Sequence, residues 1–243
     1  VMRTSLWPGL IQAVQHNLNR QHNRVRLFET GLCFKPSKDT LPVQTDMIAG
    51  AICGNLQPEQ WSDTARKVDF FDLKGDVETL LKSSGKVCTF EAATHPALHP
   101  GQSASVSINA EFAGWIGALH PEVMKQLGLD ETVYVFELNL DMVKSTVLPA
   151  FSQLSRFPEV RRDLAVVVDE SVTVQSIQNC INEITSELLQ NIKIFDIYTG
   201  KGVDSGRKSV ALGLILQDFS RTLTDHDVET EVEKVVSTLK QKF

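Results

Sequence analysis

The sequence predicts an α+β protein of two domains, and three observations carry that prediction. From Phe157 to Phe243 apolar runs and turn residues follow one another in the order strand, helix, strand, strand, helix. Ahead of Lys144, short strands joined by turns and interrupted by a few helices read as a mixed, largely antiparallel sheet. Between the two, Pro149 and Pro158 bracket a polar stretch, which divides the chain into residues 1–148 and 149–243.

The first domain opens with a helix. Leu10, Val14 and Leu18 recur at helical spacing behind Pro8, which suits a first-turn position, and Asn23 marks the helix end. Val25 to Phe34 reads as a strand turned or broken at Gly31, and Met47 to Cys53 as a second strand. Phe71, Val77, Leu80 and Leu81 mark a helix that stops at Gly85. Strands are expected at Val87–Phe90, Ala104–Ile108 and Phe112–Leu119, with Asn109-Ala110-Glu111 as a hairpin turn. A short helix from Pro121 to Leu127 ends at Gly128, ahead of a strand from Thr132 to Leu138.

The second domain begins with the strand Leu164–Val168. Val174, Ile177, Ile181, Ile184 and Leu188 then form one apolar stripe, with Thr173 as its N-cap. Ile194 to Tyr198 is a strand, Lys201 to Lys208 a hairpin loop, and Ser209 to Leu216 the strand after it. Thr224-x-x-Asp227 has the form of a capping box with Asp in place of Glu, opening a helix buried along Val228, Val232, Val235 and Leu239. This is the split βαβ, or ferredoxin-like, plan. A fourth strand is expected after the second helix, and Phe243 stands where it would start.

Composition narrows the function. At 243 residues, with 42% hydrophobic and 22% charged side chains, the chain has length enough for a core in each domain. No apolar run approaches the roughly 20 residues of a membrane span, and Val1 to Pro8 has no signal-peptide layout, reading instead as the interior of a longer polypeptide. Cys33, Cys53, Cys88 and Cys180 lie far apart with no metal-ligand spacing, so buried thiols are expected. The formal charge of −6 argues against binding nucleic acid through bulk positive charge. Placement matters more: Arg156, Arg161, Arg162, Lys193, Lys201, Arg207, Lys208 and Arg221 sit on strand ends and turns, while Glu183, Glu187, Asp225, Asp227, Glu229, Glu231 and Glu233 sit on helices.

Two other constellations lead nowhere chemical. His95, His99 and His120 lack a carboxylate at ligand spacing or a prepared nucleophile, and Pro96 and Pro100 forbid the helix that would align the first two, so a structural loop is expected rather than a hydrolase site. Lys201 to Lys208 has strands on both sides and too little glycine for a phosphate-binding loop. Tyr198 is different. Strict alternation puts Ile194, Asp196 and Tyr198 on one strand face and sends Phe195 and Ile197 to the helix-covered core. An open-face aromatic among Lys193, Lys201 and Arg207 suits base stacking. A rival reading, a small-molecule regulatory module, follows from the fold alone.

Matching stretches then run through the chain in order: Arg3 to Leu10, Arg26 to Gly31, Asp72 to Asp76, His99 to Ala104, Gly117 to Glu122, Arg156 to Pro158, Arg162 to Ala165, Phe195 to Tyr198 and Ser220 to Leu223. On these the chain resembles the C-terminal part of bacterial phenylalanyl-tRNA synthetase β subunits. The resemblance implies an inactive class II synthetase-like domain followed by a ferredoxin-fold anticodon-binding domain. It implies a catalytic α subunit as partner in an α2β2 heterotetramer, tRNA(Phe) as the RNA, and a cytoplasmic ligase that uses ATP and Mg²⁺ in the other subunit, with neither cofactor nor metal held here. Tyr198 matches the tyrosine that stacks on the first anticodon base, with Arg162, Lys201 and Arg207 as the basic residues expected around it. In an active class II site an Arg and an acidic residue two apart share one pocket. Here Arg26 and Glu29 are three apart and should point to opposite faces.

Overall fold

The computed structural model describes residues 2–37, 41–62, 64–82, 84–144, 151 and 154–243. The chain divides into two compact units, Val1–Ala150 and Phe151–Phe243. The expected division between residues 148 and 149 lies outside the described residues. Both units are built on antiparallel sheets, and the α+β class holds.

The first unit runs α1 (Trp7–Leu18), β1 (Arg24–Lys35), β2 (Val43–Gly54), α2 (Phe70–Lys82), β3 (Cys88–Ala92), β4 (Leu98–Ile108), β5 (Glu111–Leu119), α3 (Pro121–Leu127), β6 (Val133–Asn139) and α4 (Leu140–Lys144). Its six strands lie in the order β1-β2-β6-β5-β4-β3. The sheet is covered on both faces, which explains why the end of β2 is buried without alternation. Leu10 and Val14 of α1 join Ala49, Ala51, Val133 and Val135 in one core, while Leu73 and Val77 of α2 join Ile48, Ile52, Ile116 and Leu138 in the other. Trp7 fixes α1 to the sheet by donating its indole N–H to the Phe136 carbonyl at 3.0 Å.

Three expectations for this unit need correction. The first helix ends at Leu18 rather than Asn23, because Gln21 takes a left-handed turn at φ +64°. β1 passes through Gly31 unbroken: a Cβ there would meet Arg3 Nη2 at 2.1 Å, so the glycine makes room for Arg3, which binds Glu29 and the Leu32 carbonyl. His99 and Pro100 lie at the irregular start of β4, not in a loop. Elsewhere the turns are as read. Asn109 and Ala110 both have positive φ, the twist a tight hairpin needs, and Gly128 closes α3 at φ +64°.

The second unit runs β7 (Val160–Asp169), α5 (Val174–Ile184), β8 (Leu189–Tyr198), β9 (Arg207–Leu216) and α6 (Asp225–Lys242). The three strands lie in the order β7-β9-β8. Thr173 caps α5 by accepting from the Ser176 amide, and Thr224 and Asp227 form the reciprocal box at α6. Ile177, Ile181, Val235 and Leu239 pack on Val168, Val210, Leu212 and Leu214. Both helices therefore cover one face of the sheet and, among the described residues of this unit, leave the other bare. The outer edge of β7 has no strand beside it among the described residues.

Candidate nucleic-acid interface

The bare face can be read from β9. Val210, Leu212, Leu214 and Leu216 are fully buried, so Ser209, Ala211, Gly213 and Ile215 turn away from the helices. Their cross-strand partners share that face: Arg161, Asp163, Ala165 and Val167 on β7, and Lys193, Asp196 and Tyr198 on β8.

β8 does not alternate strictly. Its register slips between Ile194, opposite Leu212, and Asp196, opposite Ala211, which makes Phe195 an inserted residue. Ile194 points inward and packs in the core, against the expectation that it shared a face with Asp196 and Tyr198. Phe195, expected in the core, is 48% exposed and lies under the Arg161 guanidinium, whose carbon is 5.1 Å from the ring centre. Ile197 keeps the helix-side register opposite Val210 yet stays half exposed. Without the inserted residue, an inward Ile194 would place Tyr198 inward too. The bulge is what turns Tyr198 outward.

Tyr198 sits opposite Ser209 and is 45% exposed. Its hydroxyl donates to the Lys201 carbonyl at 3.2 Å. A Cβ on Gly200 would come within 3.0 Å of Cζ, so that glycine lets the ring lie against its own turn. Lys201 thus meets Tyr198 through its backbone. Arg207 instead donates Nη2 to the Val167 carbonyl at 3.2 Å, and its Nε lies 3.6 Å from Asp169. Arg162 is on the helix-covered side opposite Leu214, 3.7 Å from Asp225, and does not join the others. The basic residues therefore do not gather on the open side as a set. The sequence offers Arg161 only as one of several basic residues on strand ends and turns, sends Phe195 to the core, and does not single out Ser209 for the site. Ser209 follows from pairing with Tyr198, but the other two depend on the bulge.

Among its described residues the first unit offers no comparable site. Arg26 pairs with Asp76 of α2, and Glu29 with Arg3 on the other face of β1, as their spacing requires. Such a pair cannot line one nucleotide pocket. Each histidine of the His-Pro stretches uses Nδ1 to accept an amide two residues ahead: His95 from Ala97, His99 from Gly101 and His120 from Glu122. Burial lowers the pKa of His95, whose ring lies between Trp7 and Trp115. Cys33, Cys53 and Cys180 are buried free thiols, and burial followed by Glu131 pushes Cys53 up to about 11. Among the described residues no cluster of three or more His, Cys, Asp or Glu is placed to hold a metal, and no helix is long and apolar enough to cross a membrane.

Comparison with known proteins matches two separate stretches of the chain. Residues 1–140 match the phenylalanyl tRNA synthetase beta chain CLM domain, and residues 155–243 match the ferredoxin-fold anticodon binding domain. The whole chain is 49% identical to a phenylalanine–tRNA ligase beta subunit of Pseudomonas fluorescens Pf-5, of which it spans 31%. It is 47% identical over 98% of its length to that of Nitrosococcus oceani, spanning 30%, and 44% identical over its full length to that of Coxiella burnetii, spanning 31%. The chain spans about a third of these relatives, and it belongs to the family of phenylalanine–tRNA ligase β subunits.

Proposed function

We propose that this chain gives a phenylalanine–tRNA ligase its anticodon-binding unit and a scaffold for the catalytic α subunit in an α2β2 assembly. The parent enzyme joins phenylalanine to tRNA(Phe) in the cytoplasm with ATP and Mg²⁺, and the adenylate chemistry belongs to the α subunit. Separation of Arg26 and Glu29 onto opposite faces of β1 supports that division of labour. An apolar groove of about 560 Å³ beside α1 and α3, including Pro8, Ile11, Trp115, Val123 and Leu127, is a surface suited to the α subunit.

One observation carries the RNA reading: the Tyr198 ring, turned out by the bulge and braced on Gly200, stands half exposed on the helix-free face. Every base has a π-face, so such a ring binds unstacked loop bases. Lys201 and Arg207, at the same end of the sheet, supply positive charge for the flanking phosphates. The assembled ligase, titrated with a tRNA(Phe) anticodon stem-loop and with one whose anticodon is replaced, should bind the native loop more tightly. Equal affinity for the two would overturn the reading.

A further inference from the structure

Arg161 on β7 and Phe195 on β8 are separated by β9, yet they meet above it. Gly213 makes this possible, since a Cβ there would stand 2.9 Å from Arg161 Nε and 3.0 Å from Asp163 Oδ1. Asp163 accepts from Arg161 Nε at 2.7 Å, which neutralises the guanidinium and orients its plane. A cation so paired is a poor phosphate contact, but a planar guanidinium beside a half-exposed ring still offers a stacking surface.

We propose that Arg161 and Phe195 form a second stacking position for the RNA loop, distinct from Tyr198. The bulge places Phe195 and Asp196 next to each other on the bare face instead of sending one inward. Asp196 and Ile197 separate Phe195 from Tyr198, and with one of the three steps taken by the bulge the spacing is roughly 7–10 Å, more than the thickness of one base. The two aromatics therefore take different nucleotides, as sheet-face aromatics do in other single-strand binders. The inference rests on the RNA reading above but can fail separately from it.

The test uses the assembled ligase with Phe195→Leu, Arg161→Lys and Tyr198→Ala, each checked for unchanged thermal unfolding. Phe195→Leu keeps apolar volume without the π-face, and Arg161→Lys keeps charge without the plane. Each should weaken binding of the anticodon stem-loop by about tenfold. With 2-aminopurine placed singly through the loop, Phe195→Leu should relieve quenching at a different nucleotide from Tyr198→Ala. If Phe195→Leu and Arg161→Lys bind like the parent while Tyr198→Ala is weakened, the second position is refuted and the RNA reading stands. If Tyr198→Ala is also unchanged, both fall.

Discussion

Arg161 and Phe195 lie on the two outer strands of the second unit, and their side chains meet over Gly213 with the guanidinium carbon 5.1 Å from the ring centre. The contact joins three strands on the face that no helix covers. It exists because one strand carries an extra residue and its neighbour carries no side chain.

Gly213→Ala should therefore break this contact without weakening the fold. The new methyl takes the space of Arg161 Nε, while alanine suits a strand at least as well as glycine. Thermal unfolding should stay level or rise slightly, and the ring-current shift on the Arg161 side chain should vanish in NMR spectra. A preserved shift would show that the guanidinium has another route to the ring.

In the first unit a pair of glycines is informative. A Cβ on Gly50 would lie 2.4 Å from the Phe136 ring, whereas one on Gly75 in α2 meets nothing within 4 Å. Gly50→Ala should cost about 1–3 kcal/mol through overpacking. Gly75→Ala should stabilise by up to about 1 kcal/mol through helix propensity. Denaturant unfolding of the two variants should move in opposite directions, and a shared direction would contradict the packing described.

Arg26 and Glu29 bear on catalysis. With one bound to Asp76 and the other to Arg3 across the sheet, the chain should show only background pyrophosphate exchange with phenylalanine and ATP. Arg26→Ala should change stability by less than about 1 kcal/mol, as for a partly exposed ion pair. Exchange that copurifies with the chain and disappears in Arg26→Ala would overturn this.

The capping box of α6 gives a pH dependence. Hydrogen bonds from Arg221, then from the Thr224 side chain and backbone, hold the Asp227 carboxyl well below the ordinary carboxylate range. A carboxyl with a depressed folded pKa adds stability above its unfolded pKa, about 3.9, and loses it as pH falls through the folded value. Asp227→Asn should thus melt earlier than the parent at pH 7, with the gap closing as pH drops below the ordinary carboxylate range. A gap that is constant with pH would assign the effect to side-chain shape instead.

Much of this architecture was legible because local chemistry agrees with it. Thr173, Thr224, Gly128 and the Asn109-Ala110 turn each announce an element end by capping or positive φ. Gly31 misled, since its reason is Arg3, distant in sequence and adjacent only after folding. The candidate site was half legible. Tyr198 was placed on the correct face through an alternation that also misplaced Ile194 and Phe195. A bulge adds one residue without changing the apolar pattern around it, so nothing local to β8 records it. Arg207 and Arg162 show the same limit: both sit on strand ends, but which face and edge they reach is fixed by pairing with Asp169 and Leu214.

Tyr198 is the residue on which RNA binding by this face depends most. Tyr198→Ala in the assembled ligase should weaken binding of the phenylalanine anticodon stem-loop by about 1–3 kcal/mol, the usual contribution of one base–aromatic stack. Tyr198→Phe, which loses only the bond to the Lys201 carbonyl, should stay close to the parent. An affinity unchanged in Tyr198→Ala, measured in a titration where the variant is fully folded, would contradict the claim that this face reads RNA.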